Sequence, residues 1–324
     1  MGAPINLDSD LLDLRGKVAI VTGGNTGIGY WTTAHLSKRG AKVYMASRNE
    51  SKAKDAISRI EAWNTASDRG PAIYHHLDLS DPREAKQSAE AFLAQETRLD
   101  ILINNAGMLA GPYEETKEGI VNTMVVNHIS PFVFTNTLSP LLEKTAKEPN
   151  SDVRIIIVSS LIHSVIRDAK FDSIASFNTT YENAWFPSPD MKRYALSKLA
   201  NLAWMKELQQ RYKQRGVPIT CIAIHPGGVL TDTALEGLRK SRFPSLRIRL
   251  SRLFADEPEQ GSFTTLFAAA SKAVAQNPEK YCGQYLAPYG KIATPSALAR
   301  DPKLASTLWT TTEKILRDVY GVQC

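Results

Sequence analysis

Short apolar runs rich in β-branched residues alternate with longer segments of helical periodicity through the first two thirds of the chain, and this alternation restricts the fold most. The runs are 17–22, 41–47, 72–79, 99–107, 154–160 and 219–226. Helical patterning falls at 28–39, 50–63, 81–96, 117–145 (more than one helix) and 190–214. Strands that are apolar throughout are buried on both faces, as parallel strands between two helix layers must be. The pattern predicts an α/β protein: one doubly wound parallel sheet with helices on both faces. The chain has 324 residues and neither an internal repeat nor a low-complexity linker, so residues 1–324 read as one domain. Two stretches interrupt the alternation, 161–190 and 232–257. Both follow strand carboxyl ends, where open α/β sheets bind ligands, so both are candidate substrate-loop insertions. Plain surface loops are the alternative.

Several function classes drop out on chemistry. Cys221, Cys282 and Cys324 share no metal-ligand spacing and are too few for a disulfide framework, so no metal site is expected. A formal charge of +6 suits acidic partners such as phosphorylated cofactors or an anionic membrane surface, but no nucleic-acid-binding module accompanies it. The opening MGAPINLDSDLLDLRG carries acids and no apolar segment, unlike a secretory signal, and Asn6 stands where a myristoylation motif wants Ser or Thr. No apolar run approaches the ~20 residues of a transmembrane helix, and the cytoplasm is the expected location. Residues 238–254 interleave arginine with leucine. A peripheral membrane anchor and a substrate lid are both open readings there, with Pro244 interrupting any helix.

The most specific feature is the turn after the first strand, Thr22-Gly23-Gly24-Asn25-Thr26-Gly27-Ile28-Gly29. Glycines placed between a strand and a helix let the backbone turn tightly and bring its N–H groups against a pyrophosphate at the helix start. The spacing is TGxxxGIG. Further along stand Asp78, Asn104-Asn105-Ala106-Gly107, Asn127, Ser159-Ser160, Tyr194-Ala-Leu-Ser-Lys198, Pro226-Gly227 and Thr231. In this order the motifs resemble the short-chain dehydrogenase/reductase family, over residues 16 to about 231. The later segments "EPEQGSFTTLF", "YCGQYL" and "PSALARDPKLASTLW" are similar to its retinol-dehydrogenase-like branch. The resemblance implies a single Rossmann-fold domain that docks a nicotinamide dinucleotide. Its contacts would be Gly23, Asn25, Thr26, Gly27, Ile28, Gly29, Asp78, Leu79, Asn105, Ala106, Gly107, Tyr194, Lys198, Pro226, Gly227, Val229 and Thr231.

The second strand selects between the two nicotinamide cofactors. An NAD site places a carboxylate at its end, whereas a 2′-phosphate wants a guanidinium. Here Ser47 stands in place of the acid and Arg48 follows, with Lys52 one turn into the next helix. Arginine grips a phosphate with paired charge-assisted bonds, so NADP(H) is the expected cofactor.

Tyr194 and Lys198 are four residues apart on a predicted helix and share a face. A free tyrosine titrates near ~10, too high for efficient proton exchange near neutrality. Lys198 and a positive nicotinamide are expected to bring it down. Tyr113 and Lys117 have the same spacing, but only Tyr194 follows the double serine. Tyr181 has Trp185 four residues on and fails. The resemblance implies that Ser160 binds the substrate oxygen, with Ser159 as its alternate because strand neighbours face opposite ways. It also implies that Asn127 holds a water connecting Lys198 to solvent, and that Lys198 binds the nicotinamide ribose. His163 and His225 invite a catalytic reading by their titration range, but backbone positioning explains His225 as well. His75 and His76 lack a metal-ligand set.

Thirty-four positions separate Ser160 from Tyr194, a longer interval than many relatives have. The extra residues include Trp185 and Phe186, candidates for a pocket wall. The expected activity is NADP(H)-dependent interconversion of a carbonyl (ketone or aldehyde) and an alcohol on a lipophilic small molecule, with Tyr194 as acid and base. The alternative is a non-catalytic NADP-binding regulator on the same fold. Homo-oligomerisation is left open.

Overall fold

A computed structural model describes residues 5–229 and 256–323. Eight strands form one sheet in the order β3-β2-β1-β4-β5-β6-β7-β8. They are β1 (Val18–Thr22), β2 (Lys42–Ser47), β3 (Ala72–His76), β4 (Ile101–Asn104), β5 (Val153–Val158), β6 (Ile219–Ile224), β7 (Tyr285–Ala287) and β8 (Lys291–Ala293). Neighbours from β3 to β7 run parallel. The wholly parallel expectation needs one correction, because β8 returns antiparallel to β7 across a short turn. β1 lies between β2 and β4, with Ala19 opposite Ile101, so the winding reverses there and opens a crevice at the carboxyl ends of both strands.

The apolar runs become central strands because both faces are covered. Val18 and Ile20 point to one layer with Phe92, Phe132, Trp204 and Trp309. Ala19 and Val21 point to the other with Leu36, Leu266 and Ala269. The first layer comprises helices α3 (Pro82–Leu93), α4 (Ser130–Ala146), α5 (Pro189–Gln214) and α7 (Pro302–Tyr320); the second contains α1 (Gly27–Lys38) and α6 (Pro258–Ala270). Helix α2 (Glu50–Trp63) closes a smaller cluster with Met45, Ala53, Ala56 and Ile60. Helix starts follow local chemistry. Asn49 accepts from Lys52 N at 2.9 Å, and Asp81, followed by Pro82, accepts from Arg83 N at 2.9 Å.

The predicted helical stretch 117–145 divides. A single turn, Asn122–Met124, leads into a π-helical turn, Val125–Ile129, and then α4. The fourth strand ends at Asn104 rather than 107, because Asn105 and Ala106 turn back to bond Thr22. The insertion 161–190 contains a 3-10 turn, Leu161–Val165, and a short helix, Ile174–Phe177. Its Trp185 and Phe186 are 97% and 81% exposed, so they project into solvent and do not line the cleft described below. Leu230, Thr231, Pro244, the stretch 238–254, Cys324 and all but the last two residues of the insertion 232–257 lie outside the described residues. Among the described residues no helix is long and apolar enough to cross a membrane, and no three His, Cys, Asp or Glu side chains gather to hold a metal ion.

Candidate active site

The crevice begins at the glycine turn. Gly23 and Gly27 have φ of 65° and 53°, and a Cβ on Gly29 would lie 2.2 Å from the Gly23 carbonyl oxygen. Only glycine permits that approach. Thr26 precedes α1 without a side-chain cap, and no acid occupies the first turn, unlike the Asn- and Asp-capped starts of α2 and α3. The free N–H groups of α1 therefore favour an anion. On the other side, Thr22 Oγ1 accepts from Asn105 N at 3.0 Å and Ala106 N at 2.9 Å. Asn105 Nδ2 donates to Thr22 O at 2.8 Å. The two loops are thus buckled together across the switch point.

Two adjoining clefts share Gly23, Ala106, Gly107 and Met108. The first, about 450 Å³, is also lined by Asn25, Ser47, Arg48, Asp78 and Leu79. Ser47 Oγ is buried there without a partner among the described residues. Asp78 Oδ1 is used locally, accepting from Ser80 N at 2.9 Å. Lys52 does not join this group, because the first turn of α2 leaves it exposed. The second cleft, about 420 Å³, brings together Thr26, Gly27, Ile28, Gly29 and Asn105 with Ser160, Tyr194, Lys198, Pro226, Gly227 and Val229. Residues from four strand ends therefore meet in one trough.

The tyrosine and lysine sit one turn apart on α5, with Lys198 Nζ 5.6 Å from the centre of the Tyr194 ring. Lys198 is buried and donates to the Val158 carbonyl at 2.8 Å. Burial brings its pKa down to about 8. The expected lowering of Tyr194 is not found: burial pushes the phenol up to about 12, with the Ser160 hydroxyl acting in the opposite direction. A low-dielectric wall penalises phenolate more than this hydrogen bond relieves it.

The double serine resolves on geometry. Both serines line the cleft, but Ser159 Oγ is committed to the Lys198 carbonyl at 2.8 Å, whereas Ser160 hydrogen-bonds the Tyr194 phenol. Asn127 sits in the π-helical turn. Its Oδ1 accepts from Met108 N at 2.8 Å, while its Nδ2 donates to Met108 O at 3.0 Å and Ser197 Oγ at 2.9 Å. A Cβ on Gly107 would come 3.1 Å from Asn127 Oδ1 and 3.5 Å from Lys198 Nζ, so both groups flank that glycine.

The competing candidates have other employment. Tyr113 hydrogen-bonds Glu115, and Lys117 is 3.9 Å from Glu118. His75 is buried against Ser88 and His76 faces outward beside Tyr74. His225 N donates to Leu286 O at 2.8 Å, and burial brings the His225 imidazole down to about 4. Sequence reasoning did not anticipate Met108, Leu109 and Val158 as lining residues. The first two directly follow the NNAG motif, which was the available signal.

A family model for short chain dehydrogenases matches residues 17–168. The chain is 42% identical to a short-chain dehydrogenase/reductase of Armillaria gallica, covering 96% of each protein. It is 35% identical to retinol dehydrogenase 12 of Mus musculus over 94% of this chain and 88% of that one. Among solved structures, an uncharacterized protein from Mycobacterium Paratuberculosis matches with a TM-score of 0.70 at 25% identity, covering 97% of this chain and 98% of that one. The Pseudomonas aeruginosa RhlG/NADP active-site complex matches in fold, with a TM-score of 0.63 at 24% identity over 86% and 96%. With the folded arrangement and these relatives together, the chain belongs to the short-chain dehydrogenase/reductase family and is a dehydrogenase/reductase with retinol dehydrogenases among its relatives.

Proposed function

We propose that the chain, acting as one domain, is an NADP(H)-dependent oxidoreductase that interconverts a carbonyl and an alcohol on a lipophilic small molecule. The observation that carries this reading is the convergence of Ser160, Tyr194 and Lys198 on a cleft continuous with the glycine turn. The dinucleotide fits this trough. Uncapped α1 N–H groups suit its pyrophosphate, and the unpartnered Ser47 hydroxyl beside Arg48 suits a 2′-phosphate. Lys198 would hold the nicotinamide ribose. When bound, the cofactor supplies a hydride to the carbonyl carbon, or accepts one from the alcohol carbon.

In the reducing direction Tyr194 donates its phenolic proton to the carbonyl oxygen, while Ser160 donates a hydrogen bond that holds this oxygen in place. Burial alone makes Tyr194 a weaker acid, so the step relies on the Ser160 hydrogen bond and the nearby Lys198 ammonium to favour the phenolate it leaves. Lys198 in its ammonium form offsets the charge left on the phenolate, and Asn127 would hold a water through which the proton is restored. Met108, Leu109, Val158 and Val229 give the second cleft apolar walls, which favours a lipophilic substrate. The test is a panel of ketones and aldehydes, from small hydrophilic to bulky apolar, followed by NADPH absorbance. Turnover of bulky apolar members supports the proposal; preference for small hydrophilic ones, or NADH used as well as NADPH, overturns its substrate or cofactor part.

A further inference from the structure

We propose that His163 is a positioning residue for the reaction, holding the Ser160 backbone to the carboxyl-terminal part of the chain through the two ring nitrogens of one imidazole. This rests on the reading of Ser160 as the group that orients the substrate oxygen. Ser160 is the last extended residue before the 3-10 turn Leu161–Val165, with φ −157° and ψ 151°. Its carbonyl accepts twice, from His163 N at 3.2 Å and from His163 Nδ1 at 2.7 Å. The opposite ring nitrogen, Nε2, accepts from Ser296 N at 3.1 Å.

A backbone N–H can only donate, so Nε2 must be the unprotonated nitrogen and Nδ1 must carry the hydrogen. The geometry therefore fixes the tautomer without any appeal to pH. The ring is 1% exposed and stands edge-on to Tyr285 of β7, with centroids 5.5 Å apart. Burial moves its titration below the ordinary histidine range, in keeping with a neutral ring. His163 does not line the cleft, so it is not itself a catalytic group.

The bridge joins distant parts of the sequence. Ser160 follows β5, whereas Ser296 lies beyond β8. A catalytic hydroxyl on a strand end is free to swing unless its backbone is held, and small misplacements in such sites are costly. The chain supplies the hold from the segment that follows its two short final strands, β7 and β8.

Three substitutions separate the two bonds. His163→Asn keeps an amide donor near Nδ1 and loses Ser296; His163→Gln reaches the Nε2 position and loses the side-chain bond to Ser160; His163→Phe retains the ring volume against Tyr285 and loses both side-chain bonds, the backbone bond to Ser160 staying in all three. The measurements are kcat and KM with NADPH and decanal, NADPH affinity, and melting temperature. Sites are counted by NADPH binding, so that unfolded protein does not enter kcat. The expected result is a kcat reduced about 10- to 100-fold in the Phe and Gln variants, partly rescued in Asn, with NADPH affinity unchanged. A kcat that stays at the wild-type value in the Phe variant, or that follows melting temperature across the series, overturns the positioning role alone. A wild-type protein that binds NADPH and reduces no carbonyl overturns the oxidoreductase reading and this inference with it.

Discussion

Lys198 Nζ is tied to the Val158 carbonyl at 2.8 Å while standing 5.6 Å from the centre of the Tyr194 ring, so the strand that ends at the double serine also holds the lysine. Strand β5 and helix α5 thereby locate the phenol, the ammonium and Ser160 relative to one another.

On the proposed mechanism, replacing Tyr194 with Phe removes the proton donor and its hydrogen bond with Ser160 while leaving the ring on α5. Turnover should fall about 10²- to 10⁴-fold with NADPH affinity retained, measured by NADPH oxidation beside a fluorescence titration. A variant with wild-type turnover would take the acid–base role away from Tyr194.

The lysine carries a pH signature. Its pKa is about 8 in the folded chain and 10.5 when free, so between these values the unfolded state binds more protons. Folding stability then rises with pH across this window. Lys198→Met removes that contribution, so the stability difference between wild type and variant should change in favour of wild type from pH 8 toward 10. Buried tyrosines, raised above their ordinary value, contribute to both proteins and cancel in the comparison. Melting curves at several pH values supply the slope; parallel profiles for the two proteins would contradict the assignment.

Arg48 is the specificity test. If Arg48 grips the 2′-phosphate as proposed, Arg48→Ser removes charge-assisted bonds worth about 1.5–3 kcal/mol, so KM for NADPH should rise about 10- to 100-fold while that for NADH stays level. An equal change for both cofactors would place Arg48 outside phosphate recognition.

Gly29→Ala tests the turn. The added methyl would lie 2.2 Å from the Gly23 carbonyl oxygen and 2.6 Å from Asn105 Nδ2, so backbone has to move. Stability should drop by about 3 kcal/mol, with dinucleotide binding lost, as read by denaturant melts and titration. A folded variant with unchanged affinity would mean that the turn need not hold this shape.

Trp185→Ser with Phe186→Ser provides a contrasting case. Both rings lie in solvent, so stability should stay within the range of about 0.5 kcal/mol typical of surface changes. A large destabilisation, by thermal melt, would show that they pack against something in solution.

The glycine turn and the Tyr194–Lys198 spacing were legible because each depends on residues close in sequence. Strand alternation alone does not separate Ser159 from Ser160; what distinguishes them, the Ser159 bond to the Lys198 carbonyl, is made across elements. Asn127 lies beside Gly107, and its partners are both backbone groups of Met108 and the Ser197 hydroxyl, which no periodicity reveals. Strands β7 and β8 have three residues each, too short to show a period. The phenol was expected to be more acidic because charge was weighed without burial, and burial depends on the finished fold.

The reversed strand β8 has a bearing on behaviour in concentrated solution. It is half the length of β5 or β6, begins with an exposed Lys291, and terminates the sheet on that border. A second molecule seeking to zip its own backbone onto this margin finds few free amide and carbonyl groups and meets a charge. Fibrillar growth from that side is therefore discouraged, without any partner having to cover it.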